Sequence, residues 1–185
     1  MADPTRLKQY VDRYCVENGI NLRFSTNMPT GYETANGTYD VVSNTLCFNA
    51  DLLLSHPDYA QLFFLFHELR HALQYSRPEL FDEAIQRSRL YSIMYDGSCY
   101  ALSGNTWKEC RLEGPEEYFI NAYLGQPHEI DANIYAYNKV KHLCGDSEGL
   151  RKLFSFWMPQ NPLSDEEYRK IYHEIDQLIS LQGNS

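Results

Sequence analysis

Histidines 67 and 71 stand four residues apart in the stretch FHELRHALQY, Phe66 to Tyr75, with Glu68 between them. On an α-helix, residues at i and i+4 share a face with Cβ atoms about 5–6 Å apart, so the two imidazoles can grip one cation. Glu68 points about 100° away, too far to be a ligand from the same helix but well placed to act as base on a water that such a cation acidifies. The pattern H-E-x-x-H is one whose chemistry is metal-assisted hydrolysis, and a shuffled chain of this composition would hold about 0.015 copies of it. The preceding run YAQLFFLF, with Leu69, Ala72 and Leu73, would bury these polar groups. A buried polar group without a partner costs about 2–7 kcal/mol, so the histidines need something to satisfy them.

Zinc in a catalytic site takes three protein ligands and leaves a fourth position for water. Candidates for the third ligand are Glu83, Glu113, Glu116, Glu117, His128, Glu129, Asp131, His142 and His173. Helical phase narrows them. In PHEIDANIYAY, the residues Glu129, Ala132, Asn133, Ala136 and Val140 share a face, and the alanines would let that helix approach the one bearing the histidines. Asp131 stands about 200° from Glu129 and belongs to the other side. The expected ligands are therefore His67, His71 and Glu129, with Asn133 one turn further on as an acceptor that could fix the tautomer of a ligating imidazole. Tyr91, Tyr95, Tyr118 and His142 are candidate oxyanion donors, but each also fits an ordinary place in a core or on a surface.

The elements that must hold these residues can be read from periodicity and punctuation. Leu7, Tyr10, Val11, Tyr14 and Cys15 repeat at helical spacing over 4–18, and Asn18-Gly19 ends the run. INLRFST, GTYDVV and NTLCFN read as strands of a small antiparallel sheet, the last two joined near Ser43-Asn44. In NTLCFN an edge strand could also present its backbone to an extended peptide, although a half-buried sheet strand fits equally. The helix with the histidines is expected over 58–75. Ser76 and Glu79 then read as a capping box opening a helix that runs to Asp96-Gly97, with 97–114 the least regular stretch. Helices restart at Gly114-Pro115 and at Gly125-Gln126-Pro127, the second closing at Cys144-Gly145, and Ser164 with Glu167 caps a last one over 165–182. The expected fold class is α+β, a small antiparallel sheet followed by a helical bundle, in one domain over 1–185.

Composition bounds the function. Hydrophobic residues make up 43% of the 185 and charged residues 22%, a balance that favours a packed globule over disorder. Twenty-five acidic against 16 basic side chains give a formal charge of −9, so nucleic acid and anionic membranes would be repelled and neither is an expected partner. No apolar leader and no stretch of about 18 apolar residues is present, and a cytoplasmic location is expected. Five scattered cysteines without a C-x-x-C pair read as reduced thiols, with a Cys99–Cys110 disulfide as the alternative.

HELRH followed by EIDANIYAY resembles the ImmA/IrrE-type zinc metallopeptidases, whose signature is H-E-x-x-H and later E-x-x-A-N-x-[FY]-A. GTYDVVSNTLCFNADLL is similar to the strand pair that precedes the metal helix in that family, so the resemblance covers roughly 37–140. It implies a zincin-like architecture with one Zn²⁺ per chain, and an intracellular endopeptidase acting on one or few protein or peptide substrates such as a transcriptional repressor. The span from His71 to Glu129 exceeds the usual connection, which implies an inserted helix and loop over 77–126, and Arg70 stands where a small residue is common. The alternative is a non-catalytic, metal-containing regulatory or interaction module.

Overall fold

A computed structural model of the chain describes residues 4–182. It is α+β, and its described residues divide into two compact units: one of residues 4–80 with 131–156, the other of residues 81–130 with 157–182. Among the described residues, no helix is long and apolar enough to cross a membrane.

The first unit opens with α1 (Pro4–Asn18), whose Leu7, Val11 and Tyr14 are buried as their spacing predicts. Three strands follow, β1 (Arg23–Ser25), β2 (Gly37–Asp40) and β3 (Thr45–Phe48). Their order is β1-β3-β2, with β3 parallel to β1 and antiparallel to β2. The sheet is thus mixed, not purely antiparallel as expected. NTLCFN, as β3, is its central strand, so both its edges are already paired; the edge strands are β1 and β2, each of which pairs with β3 alone among the described residues. Asn49 ends β3 and caps the short α2 (Ala50–Leu53) by accepting from the Leu52 N–H. Its amide also donates to the carbonyls of Glu33 (2.9 Å) and Ala35 (2.8 Å), tying down the loop that delivers β2.

Helix α3 (Asp58–Ser76) is the centre of this unit and matches its expected span. Its Leu62, Phe63, Leu65, Phe66 and Leu69 are all at most 2% exposed, and truncating any one to Ala would cost about 2–5 kcal/mol. Tyr10 of α1 meets Phe66 edge-on at 5.8 Å. Helix α6 (Pro127–Cys144) buries Ala132, Asn133, Ala136 and Val140, the face predicted for it, and Gly145 ends it at φ 84. The division between the units falls within this continuous helix, after Ile130. Helix α7 (Glu148–Phe156) sets Phe154 against Tyr137 at 4.6 Å.

The second unit corrects the reading of 77–126. The segment after Ser76 makes only a 3-10 turn, Pro78–Leu80, because Glu79 pairs with Arg77 and does not close a capping box. Asp82 caps the short helix α4 (Glu83–Ser88) in its place, accepting from Ile85 N–H at 2.9 Å. There is then no long helix and no irregular loop but an antiparallel meander of β4 (Tyr91–Ile93), β5 (Ser98–Ser103) and β6 (Thr106–Arg111). Asp96-Gly97 is the turn of its first hairpin, and Gly104-Asn105 is the two-residue turn of its second. Gly97 sits at φ 85, and a Cβ there would lie 2.7 Å from the Leu112 carbonyl, so no other residue fits.

Helices α5 (Glu116–Leu124) and α8 (Asp165–Gln182) complete the unit, α8 opening on the expected capping box between Ser164 and Glu167. Ile93, Cys99, Cys110, Phe119, Tyr168, Ile171 and Ile175 form its core. The cysteines are thiols; Cys99 and Cys110 face each other across β5 and β6, and burial pushes the Cys99 pKa up to about 12.

Candidate metal centre

Helix α3 places His67 and His71 on one face, their rings perpendicular with centroids 4.5 Å apart and their Nε2 atoms 3.0 Å apart. Glu129, in the first turn of α6, completes the group: one ligand atom from each of the three residues lies within 4.8 Å of the others. The three residues expected as ligands are thus brought together and could hold a metal ion. Two nitrogens bound at about 2.0–2.1 Å to a tetrahedral zinc stand about 3.3 Å apart, so the pair needs only a small adjustment to fit.

The protonation of His71 follows from its neighbours. Its Nδ1 lies 2.9 Å from Gln74 Oε1, and the amide of Gln74 is oriented by a second bond, Nε2 donating to Asp131 Oδ2 at 2.8 Å. With Oε1 able only to accept, the ring proton sits on Nδ1, and Nε2 turns a lone pair toward His67 and Glu129. Asp131 is held in turn by a two-pronged ion pair with Arg70, Nε to Oδ2 at 2.7 Å and Nη2 to Oδ1 at 2.9 Å. Arg70 also lies over the Tyr135 ring at 4.8 Å.

This network revises two expectations. The acceptor that fixes the His71 tautomer is Gln74, one turn along the same helix, in place of Asn133; Asn133 itself is 2% exposed on the buried face of α6. Asp131 is not turned away from the histidine helix, because the long side chains of Arg70 and Gln74 reach it. The signal for Gln74 lay in its position, a polar residue three beyond His71 on the helix face that carries both histidines, where it is fully buried.

Glu68 is 9% exposed and packs on β2. A Cβ at Gly37 would lie 3.0 Å from Glu68 Cγ and 3.5 Å from its Oε1, so the bare glycine backbone makes the room the carboxylate occupies. Burial first, then the charges of Asp40 and Glu68, push the Cys47 thiol up.

Glu129 has its own support. His128 Nε2 lies 3.3 Å from Glu129 Oε1, and its Nδ1 lies 2.6 Å from the Ser88 hydroxyl at the end of α4. Among the other sequence candidates, Tyr91 donates to Asp176 at 2.9 Å and stacks on Tyr172, while Tyr95 and His142 are exposed. The chain matches no protein-family model, no curated protein and no solved structure.

Proposed function

We propose that this chain is a zinc-dependent endopeptidase of zincin-like architecture, cutting peptide bonds in one or few protein substrates such as a regulator or repressor. The observation that carries the reading is the convergence of His67, His71 and Glu129, with a carboxylate at Glu68 beside the first of them. The resemblance of HELRH and EIDANIYAY to the ImmA/IrrE-type peptidases supports it. Zinc bound by these three residues would supply Lewis acidity, polarising a substrate carbonyl and acidifying a water. The chain's own residues do the rest. Glu68 takes the proton of the attacking water on its carboxylate and returns it to the leaving amine. Strand β2 offers its open edge to an extended substrate by backbone pairing, which reads little side-chain identity.

A module that holds metal without turnover has no chemical need for a carboxylate at position 68, so Glu68 favours catalysis. Glu68→Gln is expected to keep stoichiometric zinc and lose hydrolysis, measured by metal analysis and by cleavage of a peptide library. Undiminished cleavage by Glu68→Gln refutes the base, and a wild-type chain that holds zinc but cuts nothing returns the non-catalytic alternative.

A further inference from the structure

Resting on the metal-centre reading above, we infer that His128 is a positioning residue for Glu129, aimed by Ser88 and Tyr172 so that its Nε2–H holds one carboxylate oxygen and leaves the other for the cation. Three buried side chains behind Glu129 have a fixed number of donors and acceptors. Ser88 is 0% exposed, Tyr172 4% and His128 5%. In such a place each polar atom must find its partner within the protein.

The Tyr172 hydroxyl donates to Ser88 Oγ at 3.0 Å. Burial pushes the Tyr172 pKa up, so it keeps the proton it donates. The backbone N–H of His128 also points at Ser88 Oγ, at 3.5 Å. A hydroxyl oxygen has two lone pairs and one proton. With both lone pairs engaged, the Ser88 proton goes to His128 Nδ1, 2.6 Å away. Nδ1 therefore accepts, and the neutral ring carries its hydrogen on Nε2, the nitrogen that lies 3.3 Å from Glu129 Oε1. The opposite tautomer would set a nitrogen lone pair against a carboxylate oxygen.

The backbone gives this chain a fixed base. Buried Gln126 accepts from Ile93 N–H at 3.2 Å, and its carbonyl accepts from Glu129 N–H at 2.9 Å, anchoring the first turn of α6 to β4. A glutamate normally loses several rotatable bonds of freedom when it ligates a metal. Here a buried nitrogen stands 3.3 Å from one oxygen before any cation arrives, and holding that oxygen would be the preorganisation that outer partners supply to metal ligands.

The experiment measures zinc affinity by competition with a chromophoric chelator, and separately the ¹⁵N shifts of His128 in metal-free protein. The expected tautomer carries hydrogen on Nε2. His128→Phe, which keeps the ring volume and deletes the donor, is expected to weaken zinc binding about 10- to 100-fold. His128→Gln, which returns an N–H at the same reach, should recover part of that loss. Ser88→Ala and Tyr172→Phe serve if His128→Phe does not fold, and should weaken zinc by smaller factors in that order. Unchanged affinity in Ser88→Ala and His128→Phe, or a hydrogen found on Nδ1, overturns the inference while leaving the metal centre standing. A wild-type chain without zinc affinity overturns both.

Discussion

Behind His71 and behind Glu129 stand two supporting chains built on different physics. The first runs through Gln74 and Asp131 to Arg70, and ends in an ion pair whose side chains are 22% and 19% exposed. The second runs through His128 and Ser88 to Tyr172, carries no formal charge beyond Glu129, and is almost wholly buried. Charge-assisted bonds are the stronger ones, so the ionic chain can hold Asp131 firmly even with water nearby. The neutral chain has weaker links but excludes water, and in a low dielectric each unmade link would be costly. The contrast teaches that a side chain which could bind a metal can be fixed either by the strength of the last partner or by leaving a chain of weak partners no alternative.

The largest expected effect tests whether both chains end on one ion. His71→Ala and Glu129→Ala should each weaken zinc by more than about 100-fold, beyond what losing an outer partner does. Metal analysis after dialysis against a chelator reads the result. If Glu129→Ala keeps its zinc, the neutral chain supports nothing and the comparison breaks.

The next effect separates the chains by their response to salt. Gln74→Leu should cost about 10- to 100-fold in zinc affinity, since it removes the acceptor of the His71 Nδ1–H. Asp131→Ala should cost less in zinc but destabilise the fold by about 1–3 kcal/mol, because it leaves a half-buried guanidinium without its partner. At an ionic strength of about 1 M the Debye length falls to about 3 Å, so the Arg70–Asp131 pair is weakened. The salt dependence of zinc affinity should therefore differ between the wild type and Asp131→Ala, and be the same for the wild type and Ser88→Ala. Equal salt dependence in all three would show that the ion pair does not reach the metal site.

What the sequence revealed of this arrangement divides along the same line. The three residues that could hold a metal ion were legible because each depends on short-range helical spacing: 67 to 71 in α3, and Glu129 on the small-residue face of α6. Fold class and the long helices were legible for the same reason. The supporting chains were not, since Gln74 meets Asp131, and Ser88 meets His128, across long stretches of chain that no local pattern encodes. The second sheet was hidden by two ambiguous signals. Ser76 with Glu79 imitates a capping box, but Arg77 takes the glutamate; Asp96-Gly97 stops a helix as readily as it turns a hairpin. Gly104-Asn105 between two alternating runs was the better clue, because a two-residue turn of that type favours a hairpin.

The smallest effect asks whether the neutral chain owes its rigidity to burial or to the helix that carries its far end. Tyr172 lies on α8, whose first turn is closed by Glu167 accepting from the Ser164 N–H and hydroxyl, both at 2.7 Å. The backbone bond first, and the hydroxyl second, hold the Glu167 pKa below the usual glutamate range. A depressed folded pKa contributes stability that is present above the unfolded value and lost as pH falls through the folded one. Glu167→Gln should therefore melt a little lower than the wild type at pH 7, with the gap closing as the pH drops below about 4. Zinc affinity at pH 7 should not move, because Tyr168 pins α8 one turn further on by donating to the Ala122 carbonyl at 2.9 Å, between the frayed end and Tyr172. If affinity falls together with the melting temperature, the Tyr172 hydroxyl is positioned by the helix start, and burial alone does not hold the neutral chain in place.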